Sequence, residues 1–99
     1  MPYAIDFHPE ADEHFKALTA DQQAQILDAI EEQLKHQPSV ETRNRKLMRE
    51  NPLAKWELRI GTLRVFYLVE EEPERLVRIR AIGIKRRDRL WIGNREYKL

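Results

Sequence analysis

Apolar residues recur along this chain with two different periods, and that change constrains the fold more than any other feature. Between Pro9 and Leu34 they repeat at helical spacing, whereas from Trp56 onward they alternate every second residue. The first pattern buries one side of a helix and the second buries one face of a sheet. The chain must therefore lay helices against a sheet, and 99 residues leave room for one such domain, spanning 1–99.

Local signals sharpen that outline. Tyr3, Ile5 and Phe7 alternate with Ala4 and Asp6, which predicts a short opening strand. Pro9 suits the first turn of a helix, and Glu10, Asp12 and Glu13 favour its positive end. Ala11, Phe15 and Leu18 give that helix one apolar face. Thr19-Ala20-Asp21-Gln22 is a capping box that starts a second helix. Ala24, Leu27, Ile30 and Leu34 form its expected buried stripe, widened by Ile26. This helix ends by Gln37, because Pro38 disfavours helical backbone in the residue before it.

The segment from Ser39 to Pro52 is polar and basic, with Lys46-Leu47-Met48 readable as a short edge strand. Beyond it, Trp56, Leu58 and Ile60 form one face of a strand and Lys55, Glu57 and Arg59 the other. Gly61-Thr62 fits a two-residue hairpin turn with positive φ at the glycine. The return strand has Leu63, Val65, Tyr67 and Val69 on one face, with Arg64, Phe66 and Leu68 on the other. Glu70 to Glu74 reads as a solvated turn, after which Val77, Ile79 and Ala81 alternate with Arg78, Arg80 and Ile82. The order β-α-α-β-β-β is an α+β fold: an N-terminal strand and a helical hairpin packed on one face of a mainly antiparallel sheet.

Charge separates along the same boundary. Residues 1–42 carry 2 basic and 9 acidic side chains, a net of −7, and residues 43–99 carry 16 basic and 8 acidic, a net of +8. If Trp56, Leu58, Val65, Val77 and Ile79 face the helices, then Lys55, Glu57, Arg59, Arg64, Arg78 and Arg80 share the opposite face, and Lys85-Arg86-Arg87 extends it. Such a face can grip several phosphates, arginine with a two-pronged donor geometry. Phe66 and Trp91 are expected stacking surfaces for unpaired bases. The alternative is an ordinary polar sheet face, or two oppositely charged layers that attract each other.

Other chemistries lack their residues. The chain has no cysteine, which excludes disulfides, thiolate metal sites and a cysteine nucleophile. His8, His14 and His36 have no ligand spacing, so no metal is expected, and they read as surface or helix-end residues. No glycine-rich phosphate loop or Ser-His-Asp set is recognisable. The opening residues show neither a basic n-region nor an apolar h-region, and no apolar run suits a membrane span, so a cytoplasmic location is expected.

The string Trp56-Glu57-Leu58-Arg59-Ile60-Gly61-Thr62-Leu63-Arg64-Val65-Phe66-Tyr67 resembles the central hairpin of the RelE/ParE toxin superfamily. Ala81-Ile82-Gly83-Ile84-Lys85-Arg86-Arg87 resembles that superfamily's last core strand and basic exit. The resemblance implies the toxin of a type II toxin–antitoxin pair, whose partner is a cognate antitoxin. RelE-like members are ribosome-dependent endoribonucleases that cut mRNA without a metal or other cofactor, leaving a 2′,3′-cyclic phosphate. ParE-like members share the fold and poison DNA gyrase without catalysis. A degenerate relative would bind only its antitoxin.

Carried over by position, the resemblance assigns a phosphate clamp to Arg64 and a catalytic lysine to Lys55. Glu57 stands where a second lysine is expected, removing a cation and offering a carboxylate base. Lys85 takes the place of an arginine, with Arg86 beside it. Trp91 aligns with a tyrosine near the C-terminus, and indole can stack on a base but cannot take a proton. The expected catalytic set is Arg64, Lys85, Glu57 and Lys55. Arg59, Arg78, Arg80, Arg86, Arg87 and Trp91 are the expected substrate contacts. Each has a plainer reading too: Arg64 paired with Glu57 across the hairpin, Lys55 solvated, Trp91 capping the core edge.

Overall fold

The computed structural model describes residues 2–98. Strand β1 (Ala4–Phe7) leads into helices α1 (Pro9–Lys16) and α2 (Ala20–Gln33). Strands β2 (Arg45–Leu47), β3 (Trp56–Ile60), β4 (Leu63–Glu70), β5 (Leu76–Arg86), β6 (Arg89–Ile92) and β7 (Arg95–Tyr97) follow. The sheet runs β2-β3-β4-β5-β6-β7, with β1 added parallel to β5. This is the α+β arrangement that the two periods imply, with the edge strand β2 one residue from its expected place and two further short strands, β6 and β7, added.

Both helix starts are held by local hydrogen bonds. His8 caps α1, its Nδ1 accepting from the Glu10 N–H at 3.2 Å. Thr19 and Gln22 form the reciprocal capping box of α2, at 3.1 and 3.0 Å. The helix stops at Gln33, earlier than Pro38 alone requires. Arg45 contributes there: its buried guanidinium donates to the Gln33 carbonyl, the Gln33 side chain and the Val40 carbonyl at 2.8–2.9 Å. The helix end and the following loop are thereby tied to β2.

The main core lies between the helices and one face of the sheet. Ala11, Ile26, Ile30 and Leu34 pack on Leu58, Val65, Tyr67, Val77, Ile79 and Ile82. Burial of this apolar surface is the main driving force for the layer arrangement. Trp56 stacks on Tyr67 with centroids 6.2 Å apart, and the Tyr67 hydroxyl donates to the Pro38 carbonyl. One expectation is corrected on α2. Leu27 is 51% exposed, and the buried stripe runs through Ile26, Ile30 and Leu34. Ile26 therefore belongs to the same core as Leu58 and Val65 of the sheet, and Leu27 does not.

A second correction concerns β5. Tyr67 lies opposite Ile79 and Phe66 opposite Ala81, so Arg80 is an extra residue in the strand. This bulge reverses the alternation. Val77 and Ile79 face the helices, then Ile82 and Ile84 do, while Ala81 turns to the other face. There Ala81 joins Phe66, Ala54 and Ile92 in a second small core, with Met48, Leu53 and Leu90 packed on it. Residues 48–54 therefore cross the outer sheet face as a strap. Phe66 is 0% exposed under it and offers no stacking surface.

Asn51 shapes the strap. Its amide nitrogen donates to the carbonyls of Arg49 and Ala54, and its oxygen accepts the N–H groups of Leu53 and Ala54, at 2.6–3.1 Å. A polar side chain that saturates four backbone groups replaces the ladder this segment lacks.

Candidate functional site

Cross-strand register decides which cations meet. Lys46 lies opposite Glu57, which lies opposite Phe66. Arg59 lies opposite Arg64, and Arg64 opposite Gly83. Lys85 lies opposite Leu90, and Leu90 opposite Tyr97. Residues directly opposite in an antiparallel pair project from the same face. From these rows Lys46, Glu57, Arg59, Arg64, Lys85, Leu90 and Tyr97 line a cleft of about 860 Å³ on the outer face, walled on one side by the strap and on the other by β6 and β7.

Seven cationic and four acidic side chains line the cleft, so its excess charge is positive. The cations are Lys46, Arg49, Arg59, Arg64, Lys85, Arg89 and Lys98. Arg64 is the most fixed of the central pair. Its guanidinium donates to the carbonyls of Gly61 and Leu63 at 2.6 and 2.9 Å, so the hairpin turn itself aims the side chain. Gly61 adopts φ +57, which a residue with a Cβ rarely does, and the type of turn follows from it. Burial lowers the Arg64 pKa from its ordinary value; Glu57 pulls it up and Arg59 pushes it further down. Arginine keeps its charge through any such shift.

Glu57 pairs with Arg59 at 2.7 Å and is only 16% exposed, so the expected alternative of an Arg64–Glu57 pair gives way to this neighbour on its own strand. Arg89 pairs with Glu96 at 3.3 Å on the outer wall. Gly83, opposite Arg64 across the β4–β5 pair, sits where nothing larger fits: a Cβ there would stand 2.8 Å from the Trp91 carbonyl oxygen.

Of the residues singled out from the sequence, Arg64, Lys85, Glu57 and Arg59 converge in this cleft. The others do not. Lys55 and Arg80 line a separate groove across the strap, because Lys55 precedes β3 and Arg80 sits in the bulge. Arg78 is held between Asp6 and Glu70 at 3.1 and 3.4 Å. Arg86 and Arg87 are exposed in and beside the β5–β6 turn, outside the cleft lining. Trp91 lies opposite Ile84, a residue packed on the helical core, and does not line the cleft.

Tyr97 occupies the wall instead. It gets there because β6 and β7 form a hairpin with Ile92 opposite Arg95, turning at Gly93-Asn94. Gly-Asn between alternating residues is a hairpin signal, and it would have pointed to Tyr97. Lys46, Arg49 and Arg89 had no comparable signal, since their positions depend on the strap and the bulge.

His14 also has a definite role. Its Nδ1 accepts the Ile82 N–H at 3.2 Å, in the gap between the parts of β5 that pair with β1 and β6. Burial lowers its pKa from the ordinary value, opposed by Glu10. Among the described residues no group of three or more His, Asp or Glu is placed to hold a metal ion. No helix among them is long and apolar enough to cross a membrane.

Two helices on one face of an open, mostly antiparallel sheet, with a cationic cleft on the other, define a domain of the RelE/ParE toxin type. The family model of the ParE toxin of type II toxin–antitoxin systems (parDE) matches residues 5–89, and the chain belongs to this family. The match ends at Arg89, so most of the β6–β7 hairpin, with Tyr97, lies beyond it. A chain in the crystal structure of the RelBE2 toxin–antitoxin complex from Mycobacterium tuberculosis has the same fold. It has a TM-score of 0.73 at 22% identity, over 86% of this chain and 100% of that one. No curated protein matches the sequence.

Proposed function

We propose that this toxin is a ribosome-dependent endoribonuclease that cleaves mRNA in the cleft, restrained by a cognate antitoxin. The observation that carries this reading is the convergence of Arg64, Lys85, Arg59 and Glu57, with Tyr97, in one positively charged cleft on the outer sheet face. In the reaction a ribose 2′-oxygen bonds to the adjacent phosphorus and the bond from phosphorus to the 5′-oxygen breaks. The 2′-hydroxyl proton goes to a base and another proton goes to the departing 5′-oxygen.

Each task has a residue. Glu57 is the carboxylate base, kept in position by Arg59. Arg64 and Arg59 face the extra negative charge that accumulates on the phosphoryl oxygens. Arg64 enters pre-aimed by its two backbone anchors, so little reorganisation is needed at the moment of reaction. Lys85 donates the proton to the leaving oxygen, and Tyr97 stacks on a neighbouring base. A cytoplasmic location follows from a ribosomal target.

The test is primer extension on mRNA from cells expressing the chain without its antitoxin. Cuts within translated frames are expected. Arg64→Ala should slow cleavage by about 10²–10³, the range for losing one donor to a transition-state anion, with far-UV circular dichroism unchanged. Growth arrest with intact mRNA would reject the nuclease. The family match to a ParE toxin favours gyrase inhibition as the second reading. Undiminished toxicity in the Arg64→Ala, Lys85→Ala double variant would favour it.

A further inference from the structure

The edge of β5 that faces away from β4 is shared by two partners. β1 pairs with it from Leu76 to Ile79, and β6 from Gly83 to Arg86. Between them Arg80, Ala81 and Ile82 have no strand beside them on that edge. His14 fills the gap from α1: its Nδ1 accepts the Ile82 N–H, one residue before the first β6 pair, Gly83 with Ile92. The same ring reaches the β6–β7 turn, where a Cβ on Gly93 would stand 3.9 Å from His14 Cδ2. One half-buried imidazole therefore meets both the strand that carries β6 and the turn that joins β6 to β7.

We propose that His14 is a positioning residue for the cleft, holding the β6–β7 hairpin in place as its outer wall only while the imidazole is neutral. That hairpin supplies Arg89, Leu90, Glu96 and Tyr97 to the lining. Four register pairs join β6 to β5, and they begin beside Ile82. The junction has no slack, since the Trp91 carbonyl oxygen already stands 2.8 Å from where a Gly83 Cβ would be. A protonated His14 carries an N–H on both ring nitrogens and cannot accept. It sets two donors against each other at Ile82, so either the ring leaves or the edge parts, and the Ile82 N–H loses its partner.

The surrounding charges set the direction. Burial disfavours the imidazolium and outweighs Glu10, one turn earlier on α1, which favours it. Elsewhere on α1, Asp12 is taken up by Lys16 and Glu13 is exposed. On β1, Asp6 is paired with Arg78. On β5, Arg80 lines the groove on the other sheet face, and on β7 Arg95 lies opposite Ile92. The wall is therefore firm at neutral pH and loosens as His14 takes up its proton, below the ordinary histidine value of 6.5.

The experiment is an NMR titration of the purified full chain from about pH 7.5 to about pH 5, across the histidine range. The ring signals of His14 give its midpoint, and the cross-strand NOE between Gly83 and Ile92 reports the wall. That NOE is expected to be lost along the His14 curve, with a shift at Tyr97, while the NOE between Leu58 and Val65 persists. In His14→Gln, whose side chain can accept from Ile82 but does not titrate, the Gly83–Ile92 NOE should persist throughout. Shifts confined to Ile82 and Gly93, with that NOE intact, would overturn the proposal. So would the same loss in His14→Gln, or loss of the Leu58–Val65 NOE in step with it. The comparison of the two NOEs in the wild-type chain decides the matter even where the variant folds poorly. Cleavage on programmed ribosomes, an arm that rests on the nuclease reading above, should fall along the same curve and fall less in His14→Gln. Equal loss in both would overturn the link to the cleft, whereas no cleavage at any pH would reject the nuclease and not the wall.

Discussion

Arg64 shows how much a single residue depends on its immediate backbone. Its Nη1 is anchored on two backbone carbonyls, and the planar, two-pronged donor geometry of the guanidinium is what a lysine ammonium cannot reproduce as a point charge. Arg64→Lys is therefore expected to retain the fold and nucleic-acid binding but recover little cleavage, measured as single-turnover rate against RNA on programmed ribosomes. His14 carries a different consequence. Its Nδ1 must be unprotonated to accept from Ile82, and burial lowers its folded pKa below the ordinary 6.5. The unfolded chain then binds a proton first, so this contribution is intact above about pH 6.5 and is lost as pH falls through the folded value. Melting temperature should drop between pH 7 and the folded value, and His14→Gln should remove that component. The sequence places His14 on the first helix but gives no sign of this role, because its partner is 68 residues away.

At the scale of elements, two junctions hold the site together. The first is the β5–β6 contact at Gly83, where the Trp91 carbonyl leaves no space for a Cβ. Gly83→Ala must push β6 away from the strand that floors the cleft. A loss of about 1–3 kcal/mol is expected from overpacking, read from urea unfolding, together with weaker RNA cleavage. The second is Arg45, which closes the end of α2 and the loop to Val40 from a buried position. Arg45→Met removes the donor to three oxygens while keeping much of the volume. It should cost about 2–4 kcal/mol, since buried acceptors lose a charged partner. The short β2 was legible from Lys46-Leu47-Met48, one residue out of register, but nothing local marks Arg45 as buried. An arginine in a basic stretch normally faces water.

For the whole molecule, the division of charge is also a division of faces. The helices carry most of the acidic half and the outer sheet face carries the basic cleft, so the field points one way across a small domain. RNA affinity should fall steeply with salt, each neutralised phosphate contributing about −0.7 to the slope of log K against log salt. Lys85→Gln is expected to lower that slope by about one contact's worth, whereas Arg78→Gln should leave it unchanged because Arg78 is committed to Asp6 and Glu70. Filter binding at several salt concentrations separates the two. Both residues look alike in sequence, as arginine or lysine on an alternating strand. Only the pairing of β1 with β5 brings Asp6 to Arg78.

The sequence by itself determined the elements whose stabilising contacts are local: the capping box at Thr19, the proline start of α1 and the Gly61 turn. With them came the placing of Arg64, Arg59 and Glu57 on one face, because a two-residue hairpin has a single register. Tertiary structure alone decided the rest. The bulge at Arg80 reversed the faces of β5, the strap buried Phe66, and the β6–β7 hairpin brought Tyr97, not Trp91, to the cleft. Those outcomes depend on contacts between residues far apart in the chain. A one-residue shift in a strand exchanges its two faces without altering the alternation that precedes it.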